Sequence, residues 1–153
     1  MTLNPEKGHY QISLKAILRD ADGRVLGLGG RADGAYVGRF DLPGGRIDEG
    51  EFRAPFIDIL KREVAEELGD VRVDLRPFPV AAGNHAFLSK RFGPTKVLYL
   101  AFEGRFLGGD IRVSDEHVGF RWFTLDDACR EEFFISGNRE VLCQYRDQLA
   151  EGA

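Results

Sequence analysis

"KREVAEELG", residues Lys61–Gly69, places three glutamates and a Lys–Arg pair on nine consecutive positions. At about 100° per residue on a helix, Glu63, Glu66 and Glu67 fall within an arc of roughly 100°. Ile57, Leu60, Val64 and Leu68 recur at helical spacing, and this apolar stripe runs beside the glutamates, not opposite them. The carboxylates therefore belong near whatever the helix packs against. Like charges this close repel by roughly a few tenths of a kcal/mol per pair, an arrangement that a cation would relieve. Taken alone, "RExxEE" reads as a solvated helix surface. The flanking sequence decides between the two.

Pro55 suits the first position of this helix, and Gly69 is a natural stop. Upstream, "PGGRIDEGE" predicts a tight turn at Pro43, Gly44 and Gly45 and adds a fourth carboxylate, Glu51. Further out, Tyr10, Ile12, Leu14, Ala16 and Leu18 alternate with mostly polar neighbours, which is strand periodicity. "DADG" then supplies a turn, and "RVLGLG" reads as the return strand of a hairpin. "FDLPGG" is a short strand entering the turn, "VRVDL" a strand, and "TKVLYLAFEGRF" a central buried strand. "VGFRWF" reads as another strand, and Thr124 as the cap of a short helix over "LDDACR". A terminal helix carries Val141, Leu142, Tyr145 and Leu149 on one face. Strands outnumber helices, as in a mixed α+β or layered α/β/α domain.

With 153 residues, 43% of them hydrophobic and 30% charged, the chain fits one domain that buries about 70% of its unfolded surface. No apolar run approaches the roughly 18 residues of a membrane span, and "MTLNPEKGHY" holds no signal-like apolar stretch. Cys129 and Cys143 are the two cysteines and form no CxxC, so neither a disulfide framework nor a zinc site is indicated. A cytoplasmic protein is expected. The net charge of −4 disfavours nucleic acid or an anionic membrane as partner. It leaves room for a small anionic ligand at a locally cationic site, and for a homodimer.

The combination resembles the signature of the Nudix hydrolases: a glycine, five residues, a glutamate, seven residues, then R-E-aliphatic-x-E-E-x-G-aliphatic. Gly45 is followed by five residues and Glu51, and Arg62, Glu63, Val64, Glu66, Glu67 and Gly69 fill the second half in register. Two departures stand out. Ten residues separate Glu51 from Arg62, a three-residue insertion that belongs in the loop before Pro55, and Asp70 takes an aliphatic position whose packing Val71 can supply. The resemblance implies a Nudix-type α/β/α sandwich with a mixed β-sheet over a single domain, residues 1–153. It also implies Mg²⁺ or Mn²⁺ held by the helix glutamates, and hydrolysis of a diphosphate linkage in a nucleoside diphosphate joined to another group. Hard cations prefer such oxygen donors, and they relieve the repulsion between a diphosphate and an attacking hydroxide.

Carried over residue by residue, Glu63 and Glu67 are the leading metal ligands, Glu66 is next, and the Gly45 carbonyl completes the shell. Arg62 orients carboxylates, Glu51 among them, and Gly44 and Glu51 support the site. One further carboxylate is expected before the last strand. In "SDEHVGFRW" spacing from Trp122 favours Glu116 as ligand or general base over Asp115, with His117 a weaker base candidate. The catalytic set implied is thus Arg62, Glu66, Glu67 and Glu116. Arg39 and Arg46 are candidate substrate contacts, as are Lys90, Arg91 and Lys96 with less support. Phe40, Tyr36 and Phe87 could stack a base, whereas His9 and His85 have no motif context and read as bystanders.

Other classes fare worse. "GLGGRA" satisfies a loose dinucleotide pattern, yet no helix opens after it, and neither G-x-S-x-G nor a P-loop is present. The rival is a Nudix-fold sensor that binds a nucleotide without hydrolysing it; such domains tend to lose box glutamates, which this chain retains. A Nudix-type isomerase has no supporting motif. For the substrate, "IRVSDEHVGFRWFTLDDAC" looks similar to dinucleoside tetraphosphate hydrolases, but the "LPGG" turn lacks their lysine. Nucleotide sugars and nucleoside triphosphates stay open beside them.

Overall fold

The computed structural model describes residues 5–31 and 37–152. Strands β1 (Gln11–Arg19), β2 (Val25–Gly30), β3 (Phe40–Asp41), β4 (Gly44–Arg46), β5 (Val71–Ser89), β6 (Gly93–Gly109) and β7 (His117–Phe123) form one sheet. Helices α1 (Phe56–Leu68), α2 (Leu125–Ala128) and α3 (Ser136–Glu151) complete it. The order runs β3-β2-β1-β6-β5, with β4 beside β1 and β7 beside β2. The sheet is mixed because β1 and β6 run parallel while the other pairs are antiparallel.

Alternation along β1 sends Leu14, Ala16 and Leu18 to one face and Ile17 to the other. On the first face they pack with Ile59, Leu60, Val64 and Leu68 of α1; on the second, Ile17 joins Val141, Leu142 and Tyr145 of α3. The sheet is thus covered on both sides, the layered α/β/α arrangement expected. Each buried aliphatic side chain contributes about 1.5–3 kcal/mol. The α1 stripe differs by one residue: Ile59 is buried, and Ile57 packs only at its margin. Thr124 caps α2, its hydroxyl accepting from the Asp127 N–H at 3.1 Å. No helix among the described residues is long and apolar enough to cross a membrane.

Three local expectations are corrected. The β1–β2 hairpin is joined only near its turn, at Arg19↔Val25, because β4 occupies the edge of β1 and β2 turns away to β7. "VRVDL" is only the start of β5, which continues to Ser89 through register shifts around Pro77 and Pro79. Prolines cannot donate to the ladder and disguise the strand in the sequence. Gln144 and Gln148 of α3 bind the β5 backbone at Ala82 and Val80, covering that free edge.

Lastly, Gly44 and Gly45 lie in a strand, not in a turn. β4 runs against β1 with Leu14 opposite Gly45 and Lys15 opposite Gly44. Gly44 has φ of 136°, and a Cβ there would stand 1.9 Å from the Leu14 carbonyl oxygen. Gly44→Ala should therefore cost about 3 kcal/mol or more and lower Tm by roughly 6–12 °C for a chain of this size. Thermal denaturation checks this; an unchanged Tm would mean that β4 can move off β1 without penalty.

Candidate active site

A cleft of about 750 Å³ opens where β1, β4, α1 and the start of β7 meet. Glu63 and Glu67 enter it from α1, one helical turn apart, and Glu116 and His117 line it from the turn at the start of β7, beside Glu67. Glu67 is 4% exposed. Its carboxylate accepts from the Gly44 N–H at 3.4 Å and lies 3.4 Å from His117 Nε2. Burial raises the Glu67 carboxyl above the usual range, with His117 and then Lys15 pulling the other way. Burial also raises Glu63, against the pull of Arg62 and with the push of Glu67 and Glu66. For His117, burial works downward, but hydrogen bonding and attraction to Glu67 leave it raised.

The Glu63 carboxylate lies over Gly45, where a Cβ would come within 2.6 Å of it. The backbone corrects the expected carbonyl. Ala16 donates to the Pro43 carbonyl and Ile47 to that of Ile12, so ladder alternation makes Leu14 and Gly45 the hydrogen-bonded pair. The Gly45 carbonyl is thereby directed at β1. Gly44, whose N–H already serves Glu67, is the residue turned toward the carboxylates.

Arg62 gathers the rest of the motif. One of its amino groups binds Glu66 at 3.1 Å; the other binds Glu63 at 3.2 Å and pairs with Glu51. Glu51 also accepts from the Asp48 N–H, so the loop before the helix is fastened to α1. The extra residues of this region lie between the 3-10 turn Glu49–Glu51 and Phe56, outside the helix. Glu66, with its side chain 59% exposed, faces away from the cleft.

Of the candidate substrate contacts, Arg46 lines the cleft, its guanidinium 5.4 Å from the Phe87 ring and donating to Gln11. Arg39 does not: it donates to the Glu131 carbonyl in a separate depression beside Arg130 and Arg139. Lys90, Arg91 and Lys96 are also absent from the cleft lining, and Lys96 lies over Tyr10. Phe40 packs in the core against Phe123, and Tyr36 falls outside the described residues. His9 lies elsewhere, near Phe92.

Sequence reading missed the inner wall. His85 lines the cleft, stacked near Phe87 and Tyr99, with Nδ1 3.0 Å from Ser136 Oγ. Lys15, only 4% exposed, pairs with Asp41 at 2.9 Å, and Asn138 donates to the same carboxylate oxygen at 2.6 Å. Lys15 looked like an outward residue of an alternating strand; the signal was its place opposite Gly44, visible only once β4 is paired with β1.

The donor set suits a hard divalent cation. Two desolvated carboxylates, a rim carboxylate and a backbone carbonyl are oxygen ligands of the kind Mg²⁺ or Mn²⁺ takes, and the burial that raises both carboxyls is a cost to their charged forms that a cation would offset.

Comparison with known proteins gives a concordant result. A family model described as the NUDIX domain matches residues 9–145. Solved structures share the fold. A MutT protein from Methanosarcina mazei is 23% identical, with 95% of this chain and 99% of that one covered and a TM-score of 0.74. An Ap4A hydrolase from C. elegans is 19% identical, with coverage of 92% and 98% and a TM-score of 0.63. An ADP-ribose pyrophosphatase from Streptococcus suis is 22% identical, with coverage of 92% and 93% and a TM-score of 0.61. Among curated proteins nothing matches.

The raised Glu67 carboxyl has a consequence for stability. Its contribution is full below the unfolded carboxylate value, about 4.3, and is lost as pH rises through the higher folded value. The His117 contribution is likewise present below about 6.5 and gone once pH passes its raised folded value. With cations chelated at pH 8, Glu67→Gln should therefore melt above the parent protein, and the gap should shrink as pH falls toward about 4–5. Equal melting at pH 8 would mean that Lys15 and Gly44 already neutralise the buried charge.

Proposed function

Because this chain belongs to the Nudix family, we propose that it is a metal-dependent pyrophosphohydrolase, cleaving a diphosphate linkage in a nucleoside diphosphate joined to a second group. The observation that carries this reading is the convergence of Glu63, Glu67 and Glu116 on one cleft with a buried, desolvated carboxylate at its centre. Glu63, Glu67, Glu116 and the Gly44 carbonyl are assigned to hold Mg²⁺ or Mn²⁺. When bound, such a cation neutralises the diphosphate and acidifies water.

The residues divide the remaining work. Arg62 keeps Glu63 aligned from outside and does not touch substrate; Glu51 and Glu66 serve it as anchors. Glu116, at the mouth, accepts the proton of the attacking water. One P–O–P bond breaks as one P–OH bond forms, and the leaving phosphate departs with the second group. Arg46 meets the phosphates, and the wall of His85, Phe87 and Tyr99 accommodates the nucleoside end. We take residues 1–153 as one domain acting in the cytoplasm on a small nucleotide. Dinucleoside polyphosphates and ADP-ribose, substrates of the kind named for two structural neighbours, belong in the test panel with nucleoside triphosphates and nucleotide sugars.

The decisive assay is hydrolysis of that panel with Mg²⁺ or Mn²⁺ and again with chelator, with products identified by mass. Metal-dependent cleavage of one class is expected. Binding without cleavage would turn the reading to a nucleotide sensor. Glu67→Gln should lower kcat by about 10²–10³-fold or more with the fold intact, and near-full activity would remove Glu67 from the mechanism. Glu116→Gln should lower kcat by about 10²-fold and change KM less. An unchanged kcat would return Glu116 to a solvated loop.

A further inference from the structure

We propose that His117 is a nitrogen ligand to the divalent cation, bound through Nε2 beside the carboxylates of Glu67 and Glu116, and that it biases this position toward Mn²⁺ over Mg²⁺. The inference rests on the reading of the cleft as a cation site and adds a donor that the glutamate motif does not contain.

The geometry carries it. One ligand atom each from Glu67, Glu116 and His117 lies within 4.8 Å of the others, and all three residues line the same cleft. Glu67 Oε2 and His117 Nε2 are 3.4 Å apart, long for a charge-assisted hydrogen bond of about 2.7–2.9 Å. Two atoms bound to one ion at about 2.1 Å, with an angle near 90–110°, stand roughly 3.0–3.4 Å apart. The two atoms therefore already stand at a separation that one ion can bridge.

The backbone fixes this arrangement independently of the side chains. Ser114 donates its N–H to the Glu67 carbonyl at 3.1 Å, and the Ser114 carbonyl accepts from the His117 N–H at 3.1 Å. The turn bearing Glu116 and His117 is thus tied to the end of α1, which sets His117 beside Glu67 and leaves the exposed Glu116 side chain to close on the ion. The His117 side chain is 10% exposed and that of Glu67 6%, so the ion approaches from the Glu116 side. Imidazole suits transition metals, whereas Mg²⁺ favours oxygen and sheds water reluctantly. Ligation also occupies Nε2, which removes that atom of His117 as the base for the attacking water and leaves the role to Glu116.

The test is pulsed EPR on the full chain loaded with Mn²⁺, prepared once with natural nitrogen and once with ¹⁵N-histidine. Nitrogen modulation that changes isotope with the histidine label is expected, and it should vanish in His117→Gln. Calorimetry should show Mn²⁺ binding falling about tenfold or more in His117→Gln, with Mg²⁺ binding altered by less than about threefold. Mn²⁺ binding without histidine modulation would overturn the proposal while leaving the cation site standing, and so would modulation that persists in His117→Gln. Failure of the parent protein to bind Mn²⁺ at all would overturn both. Absence of histidine modulation in the labelled parent overturns the proposal whether or not the variant folds, and modulation that persists in His85→Gln separates His117 from the other histidine of the cleft.

Discussion

A carboxylate held at 4% exposure is the constraint around which this structure is arranged. An ionised group taken that far from water costs several kcal/mol unless partners replace its solvation. Glu67 has the Gly44 N–H, the edge of His117 and the more distant charge of Lys15. These compensate it in part, since burial still raises its carboxyl. In the proposed function a divalent cation supplies the remainder, and burial of this carboxylate then favours binding of a metal and, through it, of a diphosphate.

The surrounding architecture follows from bringing Glu67 to that place. Its N–H partner must come from a backbone pressed against β1, which only a residue without a side chain allows at Gly44. Pressing β4 onto β1 displaces β2 toward β7, and β7 begins at His117, next to Glu116. Arg62 works from the outer side of the same helix. By joining Glu51, Glu63 and Glu66 it spreads one positive charge over three repelling carboxylates and ties the preceding loop to the helix. Arg62 is not among the residues lining the cleft, in keeping with the aligning role proposed for it.

Much of this could be read in the sequence where chemistry and periodicity coincide. The α1 register and the placement of the extra residues before it follow from fixed residue types at fixed spacing, and the Arg62–Glu51 pairing is implied by the family resemblance. The arrangement of strands was less legible. The prolines of β5 hide a strand of 19 residues, and the Asp-Gly turn suggests a full hairpin where only its base is joined. The inner wall of the cleft was hidden for the same reason. Lys15, Asp41 and His85 come from three separate segments, and nothing local marks them as neighbours. Periodicity shows which face a residue occupies; it does not show what lies across from it. Arg39 was misread in the opposite sense, since closeness in sequence to the glycine pair did not place it in the cleft.

The central claim is that the cleft directs water onto phosphorus with a cation in place. Its most direct test is turnover of the cleaved panel member in ¹⁸O-water, with the label located by mass spectrometry and ³¹P NMR. The account predicts one ¹⁸O atom per turnover, attached to phosphorus in one of the two products, and no incorporation when chelator is present. Label at a carbon position, or cleavage that proceeds equally well under chelation, would contradict it.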